Sequence, residues 1–505
     1  MSVALADARL DAPTLTTVWH AYTWLWFMAG VVALYLVVRA LGASRPIACV
    51  SSLFLYLSPR FFAEGHYNNK DVLLLSLVLL TLAVGARFLQ EPTYPRALLL
   101  ALFGAMATNT KIIGALAFGL IGLATLIRLI ARRELTAKRV RAGLAAILLY
   151  AVFYAALTPA LWADPLGYLR YLVQNATSFT RWTGVVVYGG QVYDPTRGLP
   201  LPRSYLPMMI LCTTPLVYLA FAVIGQLRAL PLIVKRDDRT ALLIVLTLLW
   251  LVPVGYAVWK QPLFYNGWRH FYFLYAGVAA LAGLGLQSAA NALRGKPTLR
   301  IVGAALLTVC LLWVGGGIVY NHPHSYAYYN ELIAPERAET DYELDYWDVS
   351  TVGAMKRLTA LEDGALTLTA TDEMSWFGVE HGYAVLPDDV RQRLTIVKDA
   401  PGARYLLANT TYARIYGVTI PAGYEPLFAI RSYGATLCTV YRAPEADAAF
   451  LVTPVEDAPP DAPLPTDAPA TDALPVTLTI VPAQVTDAPD ATDALSPTPT
   501  AGYNG

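Results

Sequence analysis

Apolar residues in this chain run in long blocks rather than in the mixed amphipathic pattern of a soluble fold. Ten blocks can be read, at 18–41, 44–58, 71–89, 96–109, 112–131, 140–160, 204–226, 240–259, 270–292 and 301–320. A helix needs about 20 residues to cross a bilayer, so most of them are long enough to span. The second and fourth are short and read as tilted partners inside a bundle or as re-entrant segments. After residue 320 the pattern changes. Short β-like runs appear at Leu366 to Ala370, Leu394 to Val397 and Arg404 to Leu407, and the alternation from Leu427 to Tyr441 predicts a hairpin turning at Ser432-Tyr433-Gly434. From 446 to 505 the chain is built of Pro, Ala, Asp and Thr in repeated Thr-Asp-Ala-Pro-like units. It carries too little apolar surface to offset the entropy of ordering, which predicts disorder.

Composition agrees with the block pattern: 56% of the 505 residues are hydrophobic and 14% are charged. A soluble core has no use for that much apolar surface, whereas a bilayer solvates it. The net charge of +1 hides a strong segregation. Every second loop is short and basic, holding Arg39 and Arg45, then Arg87 and Arg96, then Arg128, Arg132, Arg133, Lys138, Arg139 and Arg141, then Lys235, Arg236 and Arg239, and finally Arg294, Lys296 and Arg300. Basic loops stay in the cytoplasm, which places the N-terminus, the alternate loops and everything after 320 outside. The expected architecture is an all-α polytopic membrane bundle of about ten transmembrane helices (1–320), a small extracytoplasmic α/β domain (321–445) and a disordered C-terminal tail (446–505), in the cell membrane. No basic patch rises above the cytoplasmic loops, which argues against nucleic acid as a partner. The four cysteines, Cys49, Cys212, Cys310 and Cys438, form no CxxC pair, which excludes a zinc ribbon or thioredoxin motif. Residues 1–17 show neither the basic nor the apolar region of a signal peptide; an outside start without one would also follow from an absent upstream helix.

The outer loops hold the residue types that do chemistry. Ser58 to Asp71 concentrates an acid, two cations and an imidazole at one membrane face, with His66, Asn68, Asn69, Lys70 and Asp71 together. Asp71 at a helix start is favoured by the free N–H groups and the helix dipole, which is its plain structural role. Lys70 and Arg60 could snorkel to headgroups, but snorkelling does not account for His66 and the two asparagines. Tyr265-Asn266-Gly267-Trp268-Arg269-His270 enters the ninth block on the same face, and Lys111 sits in a turn there. Aromatic residues anchor interfaces, yet an arginine fork also suits phosphate. The loop 161–203 offers an interfacial helix, a Tyr188-Gly189-Gly190 turn, and prolines leading to Tyr205, which together predict a shaped lid or groove. His322 and His324 lie near carboxylates but fit no strong metal-ligand spacing.

His66-Tyr67-Asn68-Asn69-Lys70-Asp71, the Tyr-Gly-Gly loop before Pro202-Arg203-Ser204-Tyr205, Asn266 to His270, Tyr328-Tyr329-Asn330 and Asp345-Tyr346-Trp347 occur in an order that resembles the bacterial membrane glycosyltransferases related to protein O-mannosyltransferases and to lipid A aminoarabinose transferase. The resemblance covers about residues 18–360. It implies a C-type glycosyltransferase that takes a sugar from a polyprenyl-phosphate-linked sugar in the lipid bilayer and transfers it to a protein or glycolipid acceptor outside the cytoplasm. It also implies roles. Lys70, Arg269, His270 and Lys111 would face the donor phosphate, Asp71 and His66 would act at the sugar or acceptor, and Tyr188 and Tyr205 would shape an acceptor groove or lid. No cofactor is required by any motif, and a divalent cation is compatible with the carboxylates. The family's acidic residue, often an Asp-Glu pair after a first helix, has no counterpart; Asp7 and Asp11 precede the first block without forming one. That departure predicts an N-terminally shortened chain lacking its general base. Two other classes compete with this one. A transporter or flippase expects ionisable groups and broken helices near the bilayer midplane, whereas here they sit in loops; a non-catalytic scaffold would present the outer domain and tail.

Overall fold

The computed structural model describes residues 11–177, 184–236, 239–398 and 403–444. The tail expected at 446–505 and Asp7 lie outside the described residues. Helix α1 (Ala12–Ala40) starts where Asp11 accepts the Thr14 N–H at 2.9 Å and Pro13 occupies the first turn. The second block forms one helix, and the stretch after it, expected as an outer loop, holds another. α2 (Arg45–Tyr56) and α3 (Pro59–Tyr67) meet at a 68° bend, where Pro59 has no N–H to carry the helical ladder through. α4 (Asp71–Gln90), α5 (Tyr94–Thr110), α6 (Ala115–Ala131) and α7 (Ala137–Ala156) follow, with a 3₁₀ turn at Ile112–Gly114 leading into α6.

Two short helices, α8 (Pro159–Ala163) and α9 (Pro165–Thr177), and a hairpin of β1 (Val186–Tyr188) with β2 (Gln191–Tyr193) make up the long loop. The block expected at 204–226 divides into α10 (Tyr205–Thr213) and α11 (Leu216–Val234), because Pro215 again interrupts the ladder. α12 (Thr240–Lys260), a 3₁₀ segment at Asn266–Leu274, α13 (Tyr275–Ala292) and α14 (Pro297–Asn321) complete the bundle. Among the described residues eight helices are long and apolar enough to cross a membrane, nine when the bent pair counts as one span. With α5, which is 17 residues long, the ten sequence blocks are accounted for. This is a multi-pass membrane protein.

α4 and α13 form the centre of the bundle. α13 buries every residue from Tyr275 to Leu286, and it approaches α11 through paired glycines: a Cβ on Gly225 would lie 1.8 Å from the Leu281 carbonyl oxygen, and one on Gly285 1.9 Å from that of Phe221. Small residues let membrane helices come into backbone contact in this way. The periphery is apolar and open: α7 exposes Leu144, Ile147 and Leu148, and α14 exposes Val309, Leu312 and Trp313, faces that a hydrocarbon solvent covers at no cost.

Beyond α14 the chain first roofs one end of the bundle. Tyr329, Tyr342 and Leu344 join the bundle's own core, and helix α15 (Pro335–Asp341) lies between them in sequence. A second core, around Met355, Leu368, Val379, Leu407 and Val440, belongs to the small α/β unit. Its sheet runs β4-β3-β5-β7-β6, from β3 (Leu366–Ala370), β4 (Leu394–Ile396), β5 (Tyr405–Asn409), β6 (Glu425–Ser432) and β7 (Ala435–Arg442). The expected hairpin is present, with Ser432 paired to Ala435 around Tyr433 and Gly434 at φ of 49° and 81°. β3 pairs in parallel with both β4 and β5, and helices α16 (Val349–Leu361) and α17 (Glu373–Ala384) pack on this unit.

Candidate functional site at the roofed end of the bundle

The end of the bundle opposite the basic loops gathers the C-termini of α3 and α5, the N-terminus of α4 and the 3₁₀ segment before α13. Asn68 organises this end. Its side-chain oxygen accepts the Asp71 N–H at 2.9 Å and the Lys70 N–H at 3.3 Å, so two of the free donors that open α4 are met by Asn68. The Asp71 carboxylate is thereby released from capping. It takes an ion pair from Lys111, which sits just past the C-terminus of α5, and a 3.1 Å hydrogen bond from Asn68 Nδ2. The same Nδ2 donates to Glu64 Oε1 at 3.0 Å, so one amide joins two carboxylates.

Tyr265 collects the cations. The Lys111 ammonium lies 5.6 Å from its ring centre and the Arg269 guanidinium 5.0 Å, while the His270 ring packs against it at 3.5 Å. Lys70 stands on the exposed rim. Burial of its surroundings and repulsion from Lys111 push its ammonium below the usual lysine range, against the pull of Asp71. An excess of positive charge at a low-dielectric surface produces that direction of shift.

Arg269 is buried and hydrogen-bonds Tyr346 Oη at 2.6 Å, with the Tyr346 and Trp347 rings 4.4 and 4.9 Å from its guanidinium carbon. Trp347 in turn donates its indole N–H to Glu64 Oε1 at 3.0 Å. A second buried arginine, Arg60, gives its Nε–H to the Tyr328 carbonyl at 3.3 Å and lies over the rings of Tyr326 and Tyr329 at 4.7 and 4.8 Å. Gly267, at φ 68°, lets the backbone turn against this cation; a Cβ there would sit 2.4 Å from Tyr326 Oη and 3.3 Å from Arg60 Nη1. Glu343 joins the roof to the turn, accepting from Asn266 Nδ2 at 2.6 Å and from the Val187 N–H at 3.1 Å, and burial pushes its carboxyl up to about 7.

Of the residues expected from sequence, Asp71, Lys111, Arg269 and His270 converge around Tyr265, with Lys70 at the rim. His66 turns back on its own helix: Nδ1 lies 2.9 Å from the Phe62 carbonyl and the ring packs edge-on to Phe62. Tyr188 and Tyr205 are buried and packed on each other at 5.2 Å, and Tyr205 Oη accepts the Gly267 N–H at 3.1 Å. They support the turn that carries Arg269 from beneath. His324 lies close to the buried Asp345, whose oxygens accept the Val349 and Ser350 N–H groups at 3.0 Å. Among the described residues no three metal-ligating side chains converge. Sequence reading did not single out Glu64, Glu343, Tyr346 or Trp347 as site residues. Glu64 stands in the Ser58–Asp71 stretch, and Tyr346-Trp347 in a motif of the resemblance, but only the fold brings them to Arg269.

Residues 15–167 match the family of dolichyl-phosphate-mannose-protein mannosyltransferases. The resemblance is to the mannosyltransferases. That stretch contains Lys70, Asp71 and Lys111. No curated protein matches the chain. Among solved structures, ArnT from Cupriavidus metallidurans in the apo state aligns with a TM-score of 0.41 at 12% identity, covering 85% of this chain and 84% of ArnT. ArnT bound to undecaprenyl phosphate gives 0.39 at 13% identity, over 86% and 84%. The arabinofuranosyltransferase AftD from Mycobacteria gives 0.36 at 15% identity, covering 84% of this chain and 35% of AftD.

Proposed function

We propose that the chain is a membrane glycosyltransferase that moves a sugar from a polyprenyl-phosphate carrier to a protein or glycolipid acceptor at the roofed end of the bundle. One observation carries the reading: Lys111 and Arg269 meet around Tyr265, with Lys70 on the rim where it feels the charge of both, in a chain whose residues 15–167 match a family named for a dolichyl-phosphate-linked sugar. Among the described residues of this cluster Lys111 is ion-paired with Asp71, while Lys70 and Arg269 have no ion pair and are open to a phosphate. A lipid phosphate would lie at the membrane surface with its tail among the helices. Lys70 and Lys111 would meet its oxygens as point charges and Arg269 as a planar fork, opposing the charge that develops on the leaving phosphate. His270 would hold Tyr265 against the two inner cations. The alternation of basic loops supports an extracytoplasmic position for this face and for the α/β unit above it.

Purified protein in liposomes, given a radiolabelled polyprenyl-phosphate sugar, is expected to release polyprenyl phosphate and to move label to an acceptor-containing membrane extract. A protein that leaves the donor intact under those conditions would end this reading.

A further inference from the structure

Three carboxylates lie near the cations, and they are not equivalent. Asp71 is committed to Lys111 and Asn68. Glu343 is committed to Asn266 and the Val187 backbone, under the hairpin of the long loop. Glu64 differs from both. It has no exposed surface; Oε1 accepts from Asn68 and Trp347, while Oε2 is buried and accepts no hydrogen bond of good geometry, the Tyr272 hydroxyl being the other group that bears on the carboxyl. A buried carboxylate oxygen without a donor is costly, and folds keep such groups where something else will meet them. Its neighbours are placed for chemistry. Trp347 touches both Glu64 and Arg269, so proton acceptor and phosphate-binding guanidinium share one cover.

That cover is a short strap. Tyr346 binds Arg269 through its hydroxyl and Trp347 binds Glu64 through its indole N–H. Each residue gives one hydrogen bond that a phosphate oxygen or an acceptor hydroxyl can replace, and both rings also lie against the Arg269 guanidinium. The strap lies between the roof and α16, and Tyr346 is further tied to the α/β unit, whose Tyr412 hydroxyl donates to its carbonyl at 2.7 Å.

Resting on the glycosyltransferase reading, and against the expectation from sequence that the chain lacks its base, we propose that Glu64 is the general base of the transfer and that Tyr346-Trp347 is the strap withdrawn when donor and acceptor enter. The acceptor O–H loses its proton to Glu64 Oε2 as its oxygen bonds the anomeric carbon. The bond from that carbon to the phosphate oxygen breaks, and the polyprenyl phosphate leaves with the electron pair, its charge met by Arg269, Lys111 and Lys70. Glu64 then returns the proton to water. Asn68, bonded to Glu64 and Asp71 at once, positions the base relative to the Asp71–Lys111 pair.

The test uses the full chain in liposomes. Glu64→Gln keeps an oxygen for Asn68 and Trp347 but accepts no proton, so turnover should fall about 100-fold or more while binding of polyprenyl phosphate, followed by tryptophan fluorescence, stays within twofold. Glu64→Asp keeps a carboxylate and should recover part of the rate with the wild-type basic limb of the pH profile. Trp347→Phe removes the indole donor, and should speed quenching of the remaining tryptophans by donor. Glu64→Gln turning over like the wild type overturns the assignment. So does Glu64→Asp no faster than Glu64→Gln with donor binding intact, or a Glu64→Gln chain that fails to fold beside a folded but wholly inactive Glu64→Asp. A wild-type chain that neither binds nor consumes the donor overturns the glycosyltransferase reading itself, and this assignment with it.

Discussion

Lys111 and Asp71, forty positions apart, form an ion pair at the membrane face, the lysine 22% and the aspartate 5% exposed at their side chains. The pair fastens the end of α5 to the start of α4 beneath the cation cluster. Removing the lysine alone leaves a buried carboxylate with only Asn68 to satisfy it. Lys111→Met should lower stability by about 2–4 kcal/mol, and the double change with Asp71→Asn should recover most of that loss. Thermal unfolding in detergent measures both; a single variant as stable as the wild type would show that the pair contributes nothing.

Glu343 makes stability depend on pH. Burial raises its carboxyl from 4.5 in the unfolded chain to about 7 in the fold, so the folded state holds the proton more tightly. Its contribution is fully present below about pH 4.5 and is lost as pH rises through 7, on the order of 3 kcal/mol in all. Melting temperature should therefore fall between pH 5 and pH 8. Glu343→Gln, which can still accept from Asn266 and Val187, should flatten that slope, and a slope unchanged by the substitution would place its origin elsewhere.

Gly267 is a tight point of the site. Alanine there must adopt φ near 68° and would drive its methyl into Tyr326. Left-handed backbone alone costs a non-glycine residue about 1–2 kcal/mol, and the clash adds to it. Gly267→Ala should lower the melting temperature and weaken phosphate binding together, because Arg269 follows two residues later. Tyr326→Phe removes the clashing hydroxyl and should restore part of the stability; no restoration would mean that the backbone term dominates.

Orientation is open to a direct check. Lys138, in the first turn of α7, and Arg197, in the 3₁₀ turn Pro195–Arg197 of the long loop, are exposed at opposite ends of the bundle. In intact cells, a membrane-impermeant thiol reagent should label an Arg197→Cys variant above the native background and leave Lys138→Cys unlabelled until the cells are opened. The reverse pattern would invert the topology.

Most of the fold could be read from the chain because a bilayer makes hydrophobicity a one-dimensional signal. Ten apolar blocks became the bundle, with a break where Pro215 interrupts the seventh and an added helix opening at Pro59 just past the second. The β6–β7 hairpin was visible because its alternation and turn are local. The parallel pairing of β3 with β4 and β5 was not, since it joins strands separated by helices. The site divides along the same line. Lys70, Asp71, Lys111 and Arg269 announced themselves as charges beside apolar helices. His66 carried an equally suggestive type but points back to Phe62. Glu64 and Trp347 meet across 283 positions, and no local pattern encodes such a contact.

The account stands most directly on whether this cation cluster holds a lipid phosphate. Titration of the detergent-solubilised chain with polyprenyl phosphate should show saturable binding that Arg269→Ala weakens at least tenfold and Lys70→Ala measurably, while a polyprenyl alcohol of the same length does not compete. Equal affinity for the alcohol and the phosphate, or undiminished phosphate binding in both variants, would contradict it.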